Sequence, residues 1–366
     1  MSRADEHGTG FTVEIAAEED GGGRVPDLSP REAVARWTSK LRASKAESTV
    51  STYSYQLKLF VRFCEDQGIE IIRDLTGWDI ETFETERRQH ATILTVNKEM
   101  ITLQNFLKYA ERIEIVEEGI AEKVVPPDVP KQDRIDDTLL HEDRARALLE
   151  HYRERHYGSR AHALLSILWF VGCRSGGIRG LDLDHYNSDE QWIEFHDRPQ
   201  QDLPLKNGQD GERVVGLPDH VCAVLDYYIR EDRYDVYDDL GRRPLLTSQV
   251  GRPGKNTIRA WTYLATLPCN YRTCPHGKEP QTCDFVGYNH ASKCPSSRSP
   301  HQVRTGAITW MLNRGIPIEV VSKRVNTSVR ILETHYDKPD KFEEMEKRRR
   351  EHVSSLNFDN SGGENA

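Results

Sequence analysis

The stretch Ser299–Tyr336, SPHQVRTGAITWMLNRGIPIEVVSKRVNTSVRILETHY, decides the reading of this chain. Ser299 followed by Pro300 reads as a helix N-cap and first helical residue, a serine oxygen to accept an orphan N–H and a proline whose missing donor costs nothing there. His301 and Arg304 then share one face of the opening turn. That turn presents unpaired backbone N–H groups at the positive end of the helix dipole, so an imidazole and a guanidinium beside it complete an anion site suited to phosphate. Val303, Ala307 and Met311 continue an apolar face, and Gly315 supplies the stop. A second apolar segment, Ile316–Val321, follows, and then a lone tyrosine, Tyr336, in the polar context ETHYDKPD. Taken alone, a His and an Arg at this spacing equally fit a solvated helix face, and Tyr336 equally fits a packing residue.

Two upstream stretches change that balance. FVGCRSGGIRGLDLDHY places Arg174 just after an apolar helical run, and LPLKNGQDGERVVGLP carries Lys206 beside the turn signal Asn207-Gly208. With His301-Gln302-Val303-Arg304 and Tyr336, these four elements in this order resemble the tyrosine recombinase (phage-integrase or Xer-like) family, most closely integrases of halophilic archaea. The resemblance covers roughly residues 28–338. It implies a nucleophilic Tyr336, phosphate-binding Arg174 and Arg304, a general acid in Lys206, His301 assisting the tyrosine proton, and Asn326 donating to phosphate where many members carry His or Trp. Where many members carry a Glu three residues after the first Arg, this chain has Gly177. The implied partner is double-stranded DNA, with a homo-tetramer in the synapse and no catalytic cofactor. Two other readings stay open: a type IB topoisomerase-like nicking and rejoining enzyme, and a non-catalytic DNA-binding protein that keeps the recombinase fold.

A chain of 366 residues is long enough for two cores. Its 50 Lys and Arg against 59 Asp and Glu give a net charge of −9, an awkward balance for binding DNA. Residues 1–27 alone hold seven acids and two bases, a net of −5, in a Gly-containing stretch of low hydrophobicity that reads as a disordered tail. The remainder is near balance and can carry a basic face opposite an acidic one. No targeting segment stands at the start, and the longest apolar run, Ala163–Cys173, is too short to span a bilayer, so a cytoplasmic protein is expected. Seven cysteines argue against a disulfide framework.

The expected fold is mainly α with a small antiparallel β-sheet. Residues 28–123 read as a helical core-binding domain: Leu57, Phe60, Val61 and Cys64 mark one amphipathic helix, with Ser48 as a cap upstream and Gly68 as its stop. Thr76 and Asp79 start a second, and Val96, Met100, Leu103, Leu107 and Ala110 line a third. Thr95, Asn97 and Lys98 at the start of that third helix fall where the family contacts DNA, and equally fit ordinary solvated residues. Residues 124–137 read as a Pro-rich linker. An α+β catalytic domain spans 138–338, with strands at Trp192–Phe195, Leu203–Leu205 and Arg213–Val215 and Lys206 at a hairpin tip. Residues 339–366 form a charged, helix-prone tail, read either as docking on a neighbouring protomer or as a solvated helix.

Residues 269–294 form a Cys-rich insert. Cys269, Cys274, Cys283 and Cys294, spaced C-x4-C-x8-C-x10-C in a turn-rich segment, suggest a structural zinc that fixes the loop leading into Ser299. The alternative is a set of reduced thiols in a loop. Cys64, Cys173 and Cys222 lie in apolar patterns and read as small core residues.

Overall fold

A computed structural model describes residues 25–130, 133, 138–335 and 353. The chain divides into two compact units, residues 1–136 and 137–366.

Among the described residues the first unit holds four α-helices: α1 (Pro30–Arg42), α2 (Glu47–Asp66), α3 (Gly77–His90) and α4 (Ile93–Arg112). Local chemistry sets their ends. Ser29 and Thr76 form capping boxes with Glu32 and Asp79, and Gly68 (φ 73°) closes the turn after α2. Helix α2 begins at Glu47 with no side-chain cap, so Ser48 lies inside it rather than capping it. The predicted stripes meet in one core, where Leu57, Phe60, Phe83, Met100, Leu103, Phe106 and Leu107 are buried. Inside it, Glu99, 4% exposed, receives both Nε and Nη2 of Arg87, a bidentate pair that answers the cost of burying a carboxylate. Residues 124–130 run beside α4: Gln104 donates to the Val124 carbonyl and Asn97 to that of Pro127.

In the second unit, α5 (Glu142–Arg155) and α6 (Arg160–Ser166) lead into a π-helical turn, Ile167–Val171, and then α7 (Ser175–Arg179). A three-stranded antiparallel sheet follows in the order β1 (Tyr186–Asn187), β2 (Trp192–Phe195), β3 (Arg213–Gly216), with Ile193 opposite Val215. Helices α8 (Asp219–Tyr227), α9 (Lys255–Ala265), α10 (Pro300–Asn313), α11 (Ile318–Val325) and α12 (Val329–His335) complete the unit. Its core joins Leu164, Leu168, Phe195, Leu225, Ile258, Val303, Ala307, Val321 and Leu332.

Two expectations are corrected here. Leu203–Leu205 is not a strand: Leu203 makes one isolated bridge to Arg198, and the Leu205 N–H is taken by the Asp197 carboxylate at 2.7 Å. A side chain that captures a main-chain donor removes it from any ladder. Lys206 therefore sits in the long β2–β3 connection, not at the tip of a tight hairpin.

The structure does not support the zinc either. Among the described residues no group of three or more His, Cys, Asp or Glu could hold a metal ion. Cys294 is instead buried with Leu267 and Ala291, and Cys269 and Phe285 pack against them. Burial, and then the charges of the other three thiols, push the Cys269 thiol above its ordinary value. The four thiols thus share a neighbourhood without forming a ligand set. The approach to Ser299 is held by hydrogen bonds: Thr266 and Arg298 exchange a pair, Arg144 donates to the Ser296 carbonyl at 2.6 Å, and the Arg298 guanidinium reaches the Leu139 carbonyl. Cys64, Cys173 and Cys222 are buried.

No helix among the described residues is long and apolar enough to cross a membrane.

Candidate active site

The site is assembled where α7, α10 and α11 begin or end. Ser299 caps α10, its side chain accepting from the Gln302 N–H while Gln302 answers to the Ser299 N–H. That box fixes the first turn and sends Arg304 inward, where it is only 1% exposed. Arg304 Nη1 donates to the carbonyls of Gly172 (2.5 Å) and Val325 (2.8 Å), and Nη2 donates to Thr327 Oγ1. Gly172 presents its carbonyl from a left-handed conformation (φ 67°) at the close of the π-helical turn, and a β-carbon there would stand 3.0 Å from Val325.

Arg174 follows two residues later as the N-cap of α7 and is half-buried. Its Nη1 donates to the Asn326 carbonyl at 2.7 Å and its Nη2 to Thr327 Oγ1 at 3.2 Å. The two guanidiniums, 130 residues apart in sequence, therefore converge on one hydroxyl. Asn326 ends α11 in the left-handed region (φ 53°), which Asn tolerates better than other non-glycine residues, and this turn aims its carbonyl at Arg174.

Lys206 is exposed in the β2–β3 connection. Its neighbour Asn207 donates to Asn326 Oδ1 at 2.9 Å, which ties that connection to the end of α11. His301 is exposed on the first turn of α10, one turn before Arg304. Tyr336 lies outside the described residues, as does the tail 339–366 apart from Val353; α12 ends at His335, immediately before the tyrosine.

Two further arginines surround this centre. Arg213 lies over the Phe195 ring at 4.1 Å and donates to the carbonyls of Arg324 and Gly211, while Arg324 donates to those of Phe170 and Gly216. Burial pushes both guanidiniums below their ordinary value, and for Arg213 the charges of Arg174 and Arg324 push the same way. The buried Cys173 thiol is raised to about 11 by burial, although Arg213, Arg304 and Arg324 all pull it down. Arg213, Lys323 and Arg324 line a cleft beside this centre, together with the carboxylates Asp210 and Glu212. Gly177 on α7 faces Phe195 on the side of its ring edge, where a β-carbon would come within 3.1 Å.

The sequence reading missed Thr327, Arg213 and Arg324. For Thr327 one signal was available: it directly follows Asn326, a residue suited to ending a helix in the left-handed region. Of the proposed DNA-contacting residues in the first unit, Thr95 and Lys98 are exposed on α4, while Asn97 is half-buried and bound to the Pro127 carbonyl.

Residues 34–114 match the family described as phage integrase, N-terminal SAM-like domain. The tyrosine recombinase XerC of Bacillus pumilus (strain SAFR-032) is 29% identical over 141 residues, 37% of this chain and 45% of that protein, so the chain spans less than half of the curated relative it matches. The N-terminal domain of a phage integrase/site-specific recombinase from Haloarcula marismortui is 41% identical, covering 28% of this chain and 99% of that domain, with a TM-score of 0.28. The Tn1549 transposon integrase in complex with a circular intermediate DNA shares the fold, with a TM-score of 0.61 and 13% identity over 90% of this chain and all of that one. These comparisons show a phage-integrase N-terminal SAM-like domain over residues 34–114 and, over most of the chain, a fold shared with solved integrases.

Proposed function

We propose that this protein is a site-specific DNA recombinase that cleaves and rejoins double-stranded DNA through a 3′-phosphotyrosyl intermediate. The observation that carries the reading is the convergence of Arg174 and Arg304 on Thr327, since two guanidinium forks brought to one hydroxyl have the chemistry that a phosphodiester calls for. In this mechanism the Tyr336 oxygen attacks the scissile phosphorus as the bond to the 5′ oxygen breaks. His301 helps remove the tyrosine proton, and Lys206 delivers a proton to the departing 5′ oxygen. Arg174 and Arg304 stabilise charge on the non-bridging oxygens. Asn326 contributes a carbonyl that orients Arg174, and its carboxamide ties in the connection bearing Lys206. One P–O bond forms as one breaks, so neither ATP nor a catalytic metal is required. Strand exchange would join four protomers on two DNA sites. The halophilic affinity belongs to this proposal too, since an acidic protein working in concentrated salt gains little from counterion release and must take more affinity from groove and protein contacts.

The test is a suicide-substrate assay in high salt on a pooled library of host DNA, comparing wild type with Tyr336→Phe. A denaturation-resistant protein–DNA adduct that the variant fails to form is the expected result. Folded, DNA-bound wild-type protein that yields no adduct would remove the catalytic claim.

A further inference from the structure

The insert 269–294 has a place in the fold but no part in the site described above. In a chain of net charge −9, residues 255–293 hold five Lys and Arg against two acids, a net of +3. Among the described residues Lys255, Arg259, Arg272, Lys278 and Lys293 make no ion pair, whereas Arg179, Arg198, Arg242 and Arg252 of the same unit each meet an aspartate. The uncharged groups beside them are equally open. Helix α9 and the insert border a cleft of about 380 Å³, lined by Asn256, Thr257 and Arg259 from the helix and by Tyr288, Asn289 and Ser292 from the insert. Among the described residues none of these side chains donates or accepts a hydrogen bond.

This surface is shaped in advance. Ala291 and Cys294 are buried with Leu267, and Tyr263 and Leu264 of α9 pack against them. Ser297 Oγ donates to the Ala291 carbonyl at 2.6 Å, and the N–H groups of His290 and Ala291 both donate to the Gly287 carbonyl. The backbone of 287–291 is thereby fixed while Tyr288 and Asn289 stay exposed. A bare anion does not call for amides, hydroxyls and a guanidinium on one face. Duplex DNA does: cations meet phosphate, while Arg matches the guanine edge, Asn the adenine edge, and Ser or Thr either. Neutral amides and hydroxyls release no counterions when they bind, so their contacts persist in concentrated salt.

We infer that the insert, seated on α9, is a base-reading module: Asn289 and Ser292, with Arg259 across the cleft, contact base edges, and Lys293 holds an adjacent phosphate. The inference rests on the recombinase reading for duplex DNA as the partner, though the open polar face does not depend on it. Cys294 stands five residues before Ser299, so a module that reads sequence is joined directly to the helix bearing His301 and Arg304.

In the experiment the full chain, in high salt, selects duplexes from a pool of random sequence, and wild type is compared with Asn289→Ala, Arg259→Ala and Lys293→Gln. The two alanine variants should each lose preference at about one or two adjacent base pairs, keep it elsewhere, and bind the wild-type selected duplex about 10–100-fold more weakly. Lys293→Gln should weaken all duplexes evenly, the mark of a lost phosphate contact. All three side chains are exposed, so unfolding midpoints should match wild type. Alanine variants with wild-type preferences and affinity overturn the inference. So do alanine variants that weaken every duplex evenly, because their contacts would then be to phosphate alone. Covalent adduct on a suicide form of the selected duplex is read in parallel. Adduct from wild type, with preferences unchanged in the variants, keeps the recombinase reading and overturns this one. Preferences lost in the variants, with no adduct from wild type, remove the recombination chemistry and leave the module standing. Wild type that enriches no sequence overturns the inference outright.

Discussion

Arg304 and Arg174 contribute the same functional group to the site from different environments, and that difference sets what each substitution should do. Arg304 is buried, and its loss would leave the carbonyls of Gly172 and Val325 without donors around a guanidinium-sized void. Each unsatisfied buried carbonyl costs about 1–3 kcal/mol. Arg304→Ala should therefore lower stability by about 2–5 kcal/mol as well as abolish cleavage. Arg174 is half-buried, so Arg174→Ala should abolish cleavage for a smaller stability loss, about 1–2 kcal/mol for its hydrogen bonds to Asn326 and Thr327. Urea unfolding of both variants, set beside their adduct yields, checks the contrast; equal stability losses would show that burial does not separate the two. At this scale the sequence disclosed those groups whose partners are near in the chain. Ser299, Pro300 and Gln302 define a cap by spacing alone, and the His-x-x-Arg pattern rides on it. Thr327 was passed over because its place next to Asn326 gains meaning only from arginines 23 and 153 residues away. Lys206 could be singled out, but its setting was misjudged, since Asp197 intercepts the N–H that a third strand would have used.

Among the elements, α10 carries the most consequence, because the turn that places His301 and Arg304 is also the turn most tightly packed. Leu140 donates its N–H to the Gln302 carbonyl, and its own carbonyl lies where a β-carbon on Gly306 would be, 1.9 Å away. No side chain can occupy that space without moving the segment 138–140 off the helix. Gly306→Ala should destabilise the second unit by about 3 kcal/mol or more, the upper end for overpacking, despite alanine's better helix propensity, worth only about 1 kcal/mol. Ser299→Ala removes one half of a cap and should cost about 1 kcal/mol. Denaturant midpoints rank the two; Gly306→Ala at or above wild-type stability would mean the contact relaxes freely. The amphipathic stripes of α2 and α4 were legible throughout because a periodic pattern repeats its own message. The insert 269–294 was legible in composition and misread in chemistry, since hydrogen bonds from Arg144, Thr266 and Arg298 perform the anchoring assigned to a metal.

At the scale of the whole molecule, the two units have separate cores, so heating should produce two calorimetric transitions. Acid should act selectively on the second. His162 is buried in α6, accepts the Gly158 N–H on Nδ1, and is held by burial at about 4, against 6.5 ordinarily. Between these values the unfolded chain binds the proton and the folded one does not. Stability is therefore complete above pH 6.5 and lost as pH falls toward 4, by about 3 kcal/mol for this residue. His151 and His185, also lowered chiefly by burial, act in the same direction. Calorimetry from pH 7 to 4.5 should show the second transition moving down more than the first, and His162→Gln should flatten that slope. Parallel movement of both transitions would remove His162 as the cause.

The contact between Gly177 and Phe195 bears on how this chain can change over time. Position 177 looks like a vacancy that one substitution could refill with the glutamate common in the family. The space is already occupied: the Phe195 ring edge stands 3.1 Å from where the first side-chain atom would begin, and Arg213 rests on the same ring. A glutamate introduced alone would displace the ring and, with it, the support of a site arginine. The route back to the common pattern therefore runs through a smaller residue at 195 first, and each single step away from the present pairing is worse than where the chain now stands.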